Sequence, residues 1–197
     1  LRPSYHMIDS FGADAAYPLG DFTLRAEMAY IRGRAFNRDF SSVLAGRDVA
    51  GAFGKIAETL RNGAGSVPVP VASYGLSDVV EWGFGGDFIR DNGMILLQVN
   101  QSALLNPTES DLLVSPVETR ILLNTEKEFP EYRVTAKFVA VHAIESDYTV
   151  LLPRVSYEVM EGLKLEVGYL MISGRRHSVV GQYKDNDQAF VRAIYTF

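Results

Sequence analysis

Acidic and basic side chains recur two residues apart along the chain, as in Arg25 and Glu27, Glu118 and Arg120, and Lys164 and Glu166. Asp14, Glu81, Glu126, Arg133, Lys137, Arg154, Glu158 and Arg192 occupy similar polar positions between apolar neighbours. Both signs are mixed, so ladders of Arg or Lys with Glu across paired strands are expected. Such a set breaks no bonds. It makes a wet wall whose field selects solutes by charge. For any one residue, a salt-bridged structural interior is the simpler account. As a group they argue for a wet interior, because this many charges cannot sit unpaired in a dry core.

Bond-breaking chemistry is thinly supported. The histidines are His6, His142 and His177, and there is no cysteine. A hydrolytic site would need a serine, a histidine and an orienting group together. His142 shares the parity of Phe138 and Ala140, with no serine beside it in a motif. No His/Cys cluster suits a metal, and no phosphate-cradling Gly loop or GxSxG motif occurs. No catalytic residue, metal or cofactor is expected. The Gly-rich run SDVVEWGFGGDF reads as a strand, where Gly marks bends or close approach.

The elements that must position the charges are strands. From Leu163 to Met171 every odd position is apolar, and Ala189, Val191, Ala193, Tyr195 and Phe197 repeat the pattern. Period-two alternation gives a strand one apolar and one polar face. The same pattern predicts strands over roughly 5–17, 21–33, 74–88, 94–105, 117–129, 132–143 and 148–159, nine in all. Pro153 falls mid-strand, where its missing N–H needs an edge or a bulge. The connections at 18–21, 90–93, 129–131 and 160–162 are short. Those at 34–72, 105–116 and 174–187 are long, and 145–147 alone breaks the alternation. Asn92-Gly93 is the pair favoured in tight hairpins.

Within 34–72, Val49, Phe53, Ile56 and Leu60 form one helical stripe. Asp48 suits the N-cap and Asn62-Gly63 the C-terminus. This short helix would narrow a pore if folded inward, or cap the surface if folded outward. An ordinary exposed loop is as good an account.

The 197 residues suit one domain, 47% hydrophobic and 22% charged. No apolar stretch is long enough for a transmembrane helix. The net charge of -5, with no basic run, makes nucleic acid an unfavoured partner. In a soluble sandwich or barrel the apolar face would be the core. Two features favour a lipid-facing role instead. Tyr17, Phe22, Tyr30, Trp82, Tyr157, Tyr169, Tyr195 and Phe197 gather near strand ends on the apolar face, as an interfacial girdle requires. Mid-strand apolar positions are often Ala or Val, too slight to fill a small core. Short turns on one side and long loops on the other are also the habit of membrane barrels.

The ending GQYKDNDQAFVRAIYTF resembles the last hairpin of Gram-negative outer-membrane β-barrels, in particular a group of porin-like barrels of poorly known substrate. DFTLRAEMAYIRG, from Asp21 to Gly33, resembles one of their strands. The resemblance implies an all-β, antiparallel up-and-down transmembrane barrel in the bacterial outer membrane. It implies contact with outer-membrane lipid, and Tyr195 and Phe197 as a signal to the barrel-insertion machinery. It leaves room for coupling to a periplasmic partner. Nine strands, against the even number of single-chain bacterial barrels, suggest the C-terminal part of a larger barrel, 1–197 being one domain or fragment. A closed eight- or ten-stranded barrel is the alternative. An export signal is expected to have been removed, or an N-terminal part to lie outside the sequence. The expected function is diffusion of an unknown small solute, without chemistry. Two rivals are a non-transporting structural or adhesion barrel and a soluble antiparallel β protein binding an apolar ligand.

Overall fold

The computed structural model describes residues 7–38, 57–58, 61–63, 74–108, 112–176 and 178–196. They form one nine-stranded sheet, antiparallel throughout, with each strand beside its sequence neighbour. The strands are β1 (Asp9–Leu19), β2 (Phe22–Asn37), β3 (Tyr74–Arg90), β4 (Gly93–Leu105), β5 (Val117–Phe129), β6 (Val134–Ala143), β7 (Tyr148–Met160), β8 (Leu163–Gly174) and β9 (Gln188–Tyr195). The expected all-β, up-and-down layout is therefore present. The sheet is open, with β1 and β9 at its two edges.

Tight turns join the strands at one end. Gly20 and Gly162 take φ of +64° and +79°, where a side chain would be strained. Between β3 and β4 the central turn residues are Asp91 and Asn92, both at positive φ, 47° and 60°. The turn thus falls at 90–93 as expected, with Asp91 and Asn92 at its centre, and Gly93 opens β4 opposite Arg90. Asp and Asn tolerate the left-handed region, and two such residues in succession match the twist of a hairpin. A 3-10 turn, Pro130–Tyr132, delays β6 to Val134.

The register decides what the strands present. It holds one offset across each pair, with irregularities at Ile31/Arg34 in β2 and Glu158/Met160 in β7. One face therefore runs unbroken across all nine strands. In cross-strand order it carries Ala13, Met28, Trp82, Gln101 and Thr119, and in a second row Leu24, Gly86, Leu97, Leu123, Ala140, Leu151 and Met171. This apolar face is the exposed one: Val191 is 76% and Leu97 52% accessible. The buried residues lie on the other face or under the loops. They include Asp87, Glu118, Glu166, Ser77 and Ser178, against only Val79 and Ala143 as hydrophobics among the described residues. A sheet that buries carboxylates and exposes its Phe, Val and Leu inverts the order of a water-soluble core.

Pro153 pairs with Phe138 of β6. Toward β8 the pairing passes from Leu151↔Met171 to Arg154↔Gly168 without a change of offset. The proline is thus carried by a short gap in one ladder, not by an edge. Of the loop 34–72, the end of a helical turn is described: the Asn62 amide donates to the Glu58 carbonyl at 3.0 Å, and Gly63 has φ +82°. Val49, Phe53, Ile56 and Leu60 lie outside the described residues, as does Phe197.

Candidate functional site

Asp14, Arg25, Glu27, Glu81, Glu118, Arg120, Glu126, Lys137, Arg154, Glu158, Lys164, Glu166 and Arg192 all fall on the face opposite the apolar one. Arg133 does not lie in a strand; it closes the 3-10 turn before β6 at φ +53°. The expected ladders form in part. Lys137 Nζ stands 2.8 Å from Glu126 Oε2, and Arg192 Nε donates to Glu166 Oε1 at 3.0 Å.

Two partners escaped the sequence reading. Arg25 Nε donates to Asp87 at 2.7 Å, and Arg34 Nη1 to Glu81 at 2.6 Å. Asp87 shares the parity of Glu81 in β3, which was its signal. Arg34 has the wrong parity for this face. The bulge at Gly33, φ +69°, inserts one residue and turns Arg34 to the charged side. The Asp78 carboxylate secures the bulge by accepting from the Gly33 amide and the Tyr30 hydroxyl, both at 2.8 Å.

Glycine makes the room that Glu27 needs. Glu27 reaches over β3 to accept from Gln98 Nε2 at 2.6 Å. A Cβ at Gly83 would lie 2.6 Å from Glu27 Oε1 and 2.4 Å from Asn100 Oδ1. Around this gap lies a recess of about 530 Å³, bordered by Asp14, Glu27, Glu81, Asn100 and Arg120. Asp14 and Glu27 are directly opposed across β1 and β2. Toward the long-loop end a second recess, about 380 Å³, is shared by Arg34, Glu81, Glu118 and Arg120 with Val179 and Val180. The loop after β8 therefore turns back onto the charged wall, and within it Ser178 and Gly181 are buried, the Ser178 hydroxyl accepting from the Gly181 amide at 2.8 Å. Arg120 Nε, Arg154 Nε and Glu118 Oε1 are enclosed without a partner among the described residues, while Glu118 Oε2 accepts from the Ser146 hydroxyl.

The wall is not polar throughout. Leu122, Val141, Val150 and Ile172 are successive neighbours across β5 to β8 on the charged face, all half-buried. Alternation alone hid this strip, because both faces are apolar at those heights. His142 lies on the apolar face, with Nδ1 3.0 Å from the Thr149 hydroxyl.

The connection between β6 and β7 is pinned on both sides. Asp147 pairs with Arg175 at 3.0 Å. Glu145 accepts from the Thr119 hydroxyl at 2.9 Å and from the Thr119 amide at 2.5 Å. Desolvation works against the charged form of Glu145, but the two Thr119 donors outweigh it and hold the carboxyl below its usual range. A depressed carboxyl contributes its stability above the ordinary carboxylate range and loses it as pH falls through the lowered value. Thr119→Val is accordingly expected to shift the onset of acid unfolding to higher pH, as followed by circular dichroism.

No family model matches the chain, and no curated protein sequence matches it. Among solved structures it is similar to OmpT, folded in vitro, an outer membrane protein of Vibrio cholerae. The identity is 14% and the TM-score 0.49, covering 96% of this chain and 52% of that one. The chain thus spans about half the length of that protein. At this identity nothing about activity, solute or partner passes from one chain to the other.

Proposed function

We propose that the chain forms part of the wall of a bacterial outer-membrane β-barrel whose charged face lines a pore for small solutes. The inverted burial of the nine strands carries this reading: the apolar face meets lipid, and the buried carboxylates belong to a wet lumen. Sorted turn lengths and aromatic strand ends support it. The tight turns then face the periplasm, and the long loops the exterior. Outer-membrane lipid, the barrel-insertion machinery acting on Tyr195 and Phe197, and a periplasmic partner belong to the same proposal.

The two recesses set Asp14, Glu27, Glu81 and Glu118 against Arg34 and Arg120. Acid is in excess, so a cation preference follows. Planar-bilayer recording of the full-length protein tests this. Step currents with a cation preference that falls in Asp14→Lys are expected. Complete absence of current overturns the channel and leaves the second reading, a non-transporting barrel with an occluded lumen, which the apolar strip from Leu122 to Ile172 favours. A protein that is stable and monomeric in buffer without detergent overturns both.

A further inference from the structure

Charges on the apolar face are confined to its two ends, and the ends differ. Among the described strand residues the long-loop end carries Asp9, Arg32 and Asp78. The tight-turn end carries Arg90 and Lys127, with no acid on that face. These two cations stand in one cross-strand row, Arg90↔Gly93↔Lys127↔Ala136. With strands about 4.8 Å apart, their backbones are roughly 10 Å from each other. Gly93 lies between them. A Cβ there would come within 3.3 Å of both Lys127 Cδ and the Arg90 carbonyl, so glycine keeps a notch open.

Away from the turn the notch continues into a groove of about 510 Å³. Small residues, Thr125 and Ala136, make its floor, and Phe88, Ile95 and Phe138 its walls. Phe88, Ile95, Thr125 and Phe138 are themselves one row across β3 to β6. Glu126 and Lys137 also border the groove, but they belong to the charged face and are paired with each other at 2.8 Å. The carboxylate beside the two cations is Asp91, on the turn itself. It stands 3.4 Å from Arg90 Nε, with both side chains mostly in solvent, and its carbonyl accepts from Lys127 Nζ. An exposed pair of this kind is weak and leaves Arg90 available, and the Lys127 ammonium keeps two further donors beside the one given to the Asp91 carbonyl.

We infer that this groove holds one acyl chain of an anionic phospholipid, with its phosphate in the notch between Arg90 and Lys127. The inference rests on the membrane reading above. Charge complementarity selects the lipid: at headgroup level a cation attracts an anionic headgroup, while below it Phe88, Ile95, Ala136 and Phe138 offer apolar contact. A zwitterionic lipid would gain the groove without the net attraction.

The full chain would be placed in nanodiscs of phosphatidylcholine containing a minor fraction of phosphatidylglycerol, and the retained lipids counted by native mass spectrometry. Retention of phosphatidylglycerol over phosphatidylcholine by about tenfold is expected. The double variant Arg90→Gln/Lys127→Gln should abolish the preference. Lys164→Gln, near the same end on the charged face, should keep it. Ala136→Phe, which fills the groove floor, should lower retention of both lipids. Equal retention by the native protein, or an unchanged preference in the double variant, overturns the inference alone. Failure to insert by a protein that folds in buffer overturns the membrane reading and the inference together.

Discussion

Leu97→Arg is expected to cost about 2–4 kcal/mol of folded stability in a bilayer, the penalty of a cation near the lipid midplane. Leu97 lies on the apolar face of β4 between Gly86 and Leu123, and it is 52% accessible. That exposure makes the substitution informative. In water, a half-exposed leucine away from any special feature is replaced at a cost of roughly 0.5 kcal/mol or less. Ser102→Arg, on the charged face of the same strand, is the control and should be tolerated. Urea unfolding from lipid vesicles, followed through Trp82, the single tryptophan, measures both. Equal midpoints for the two variants would show that the apolar face does not meet lipid.

The second large effect belongs to Arg192. Its guanidinium is the cation at the Glu166 carboxylate, whose side chain is only 7% exposed. The guanidinium also lies 5.5 Å over the Phe190 ring, and that ring fills the space where Gly168 lacks a side chain. Arg192→Leu leaves a buried charge without its partner. The expected loss is toward the lower end of about 3–5 kcal/mol, since the guanidinium is 48% exposed and water screens part of the interaction. Adding Glu166→Gln removes the stranded charge and should restore most of the loss. If the single variant unfolds at the native midpoint, the pair contributes nothing, and Phe190 over Gly168 holds this corner of the sheet.

The strands were legible because each has an apolar face of its own, and period-two alternation survives without tertiary context. β5 was readable to the residue, Val117–Phe129, since Pro116 and Pro130 bound it on either side. Arg34 was passed over because the alternation ended at Gly33 and the loop 34–72 was taken to begin there; β2 continues to Asn37 through a bulge, a phase change that hydrophobicity does not mark. Asp87 was passed over as part of a Gly-rich stretch, although its register position opposite Thr23 puts it on the same face as Arg25, two pairs away. The strip from Leu122 to Ile172 was hidden because alternation distinguishes two faces only when one of them is polar. The approach of Val179 and Val180 to the wall depends on how a polar loop folds back, which its composition does not encode.

Past the bulge, β2 and β3 continue alone for four pairs, Arg34↔Ser77 to Asn37↔Tyr74. At 3.3 Å per residue, the six residues from Val80 to Tyr74 carry this ribbon about 20 Å beyond the last pair of the apolar face, Tyr30↔Val80. The loop between β4 and β5 clasps it: the Thr108 amide bonds the Leu76 carbonyl, and the Leu113 amide bonds the Asn37 carbonyl. On the membrane reading this clasped ribbon is a turret standing clear of the headgroups. Antibodies, phage and proteases approaching from water would meet it before any residue of the lipid-facing wall.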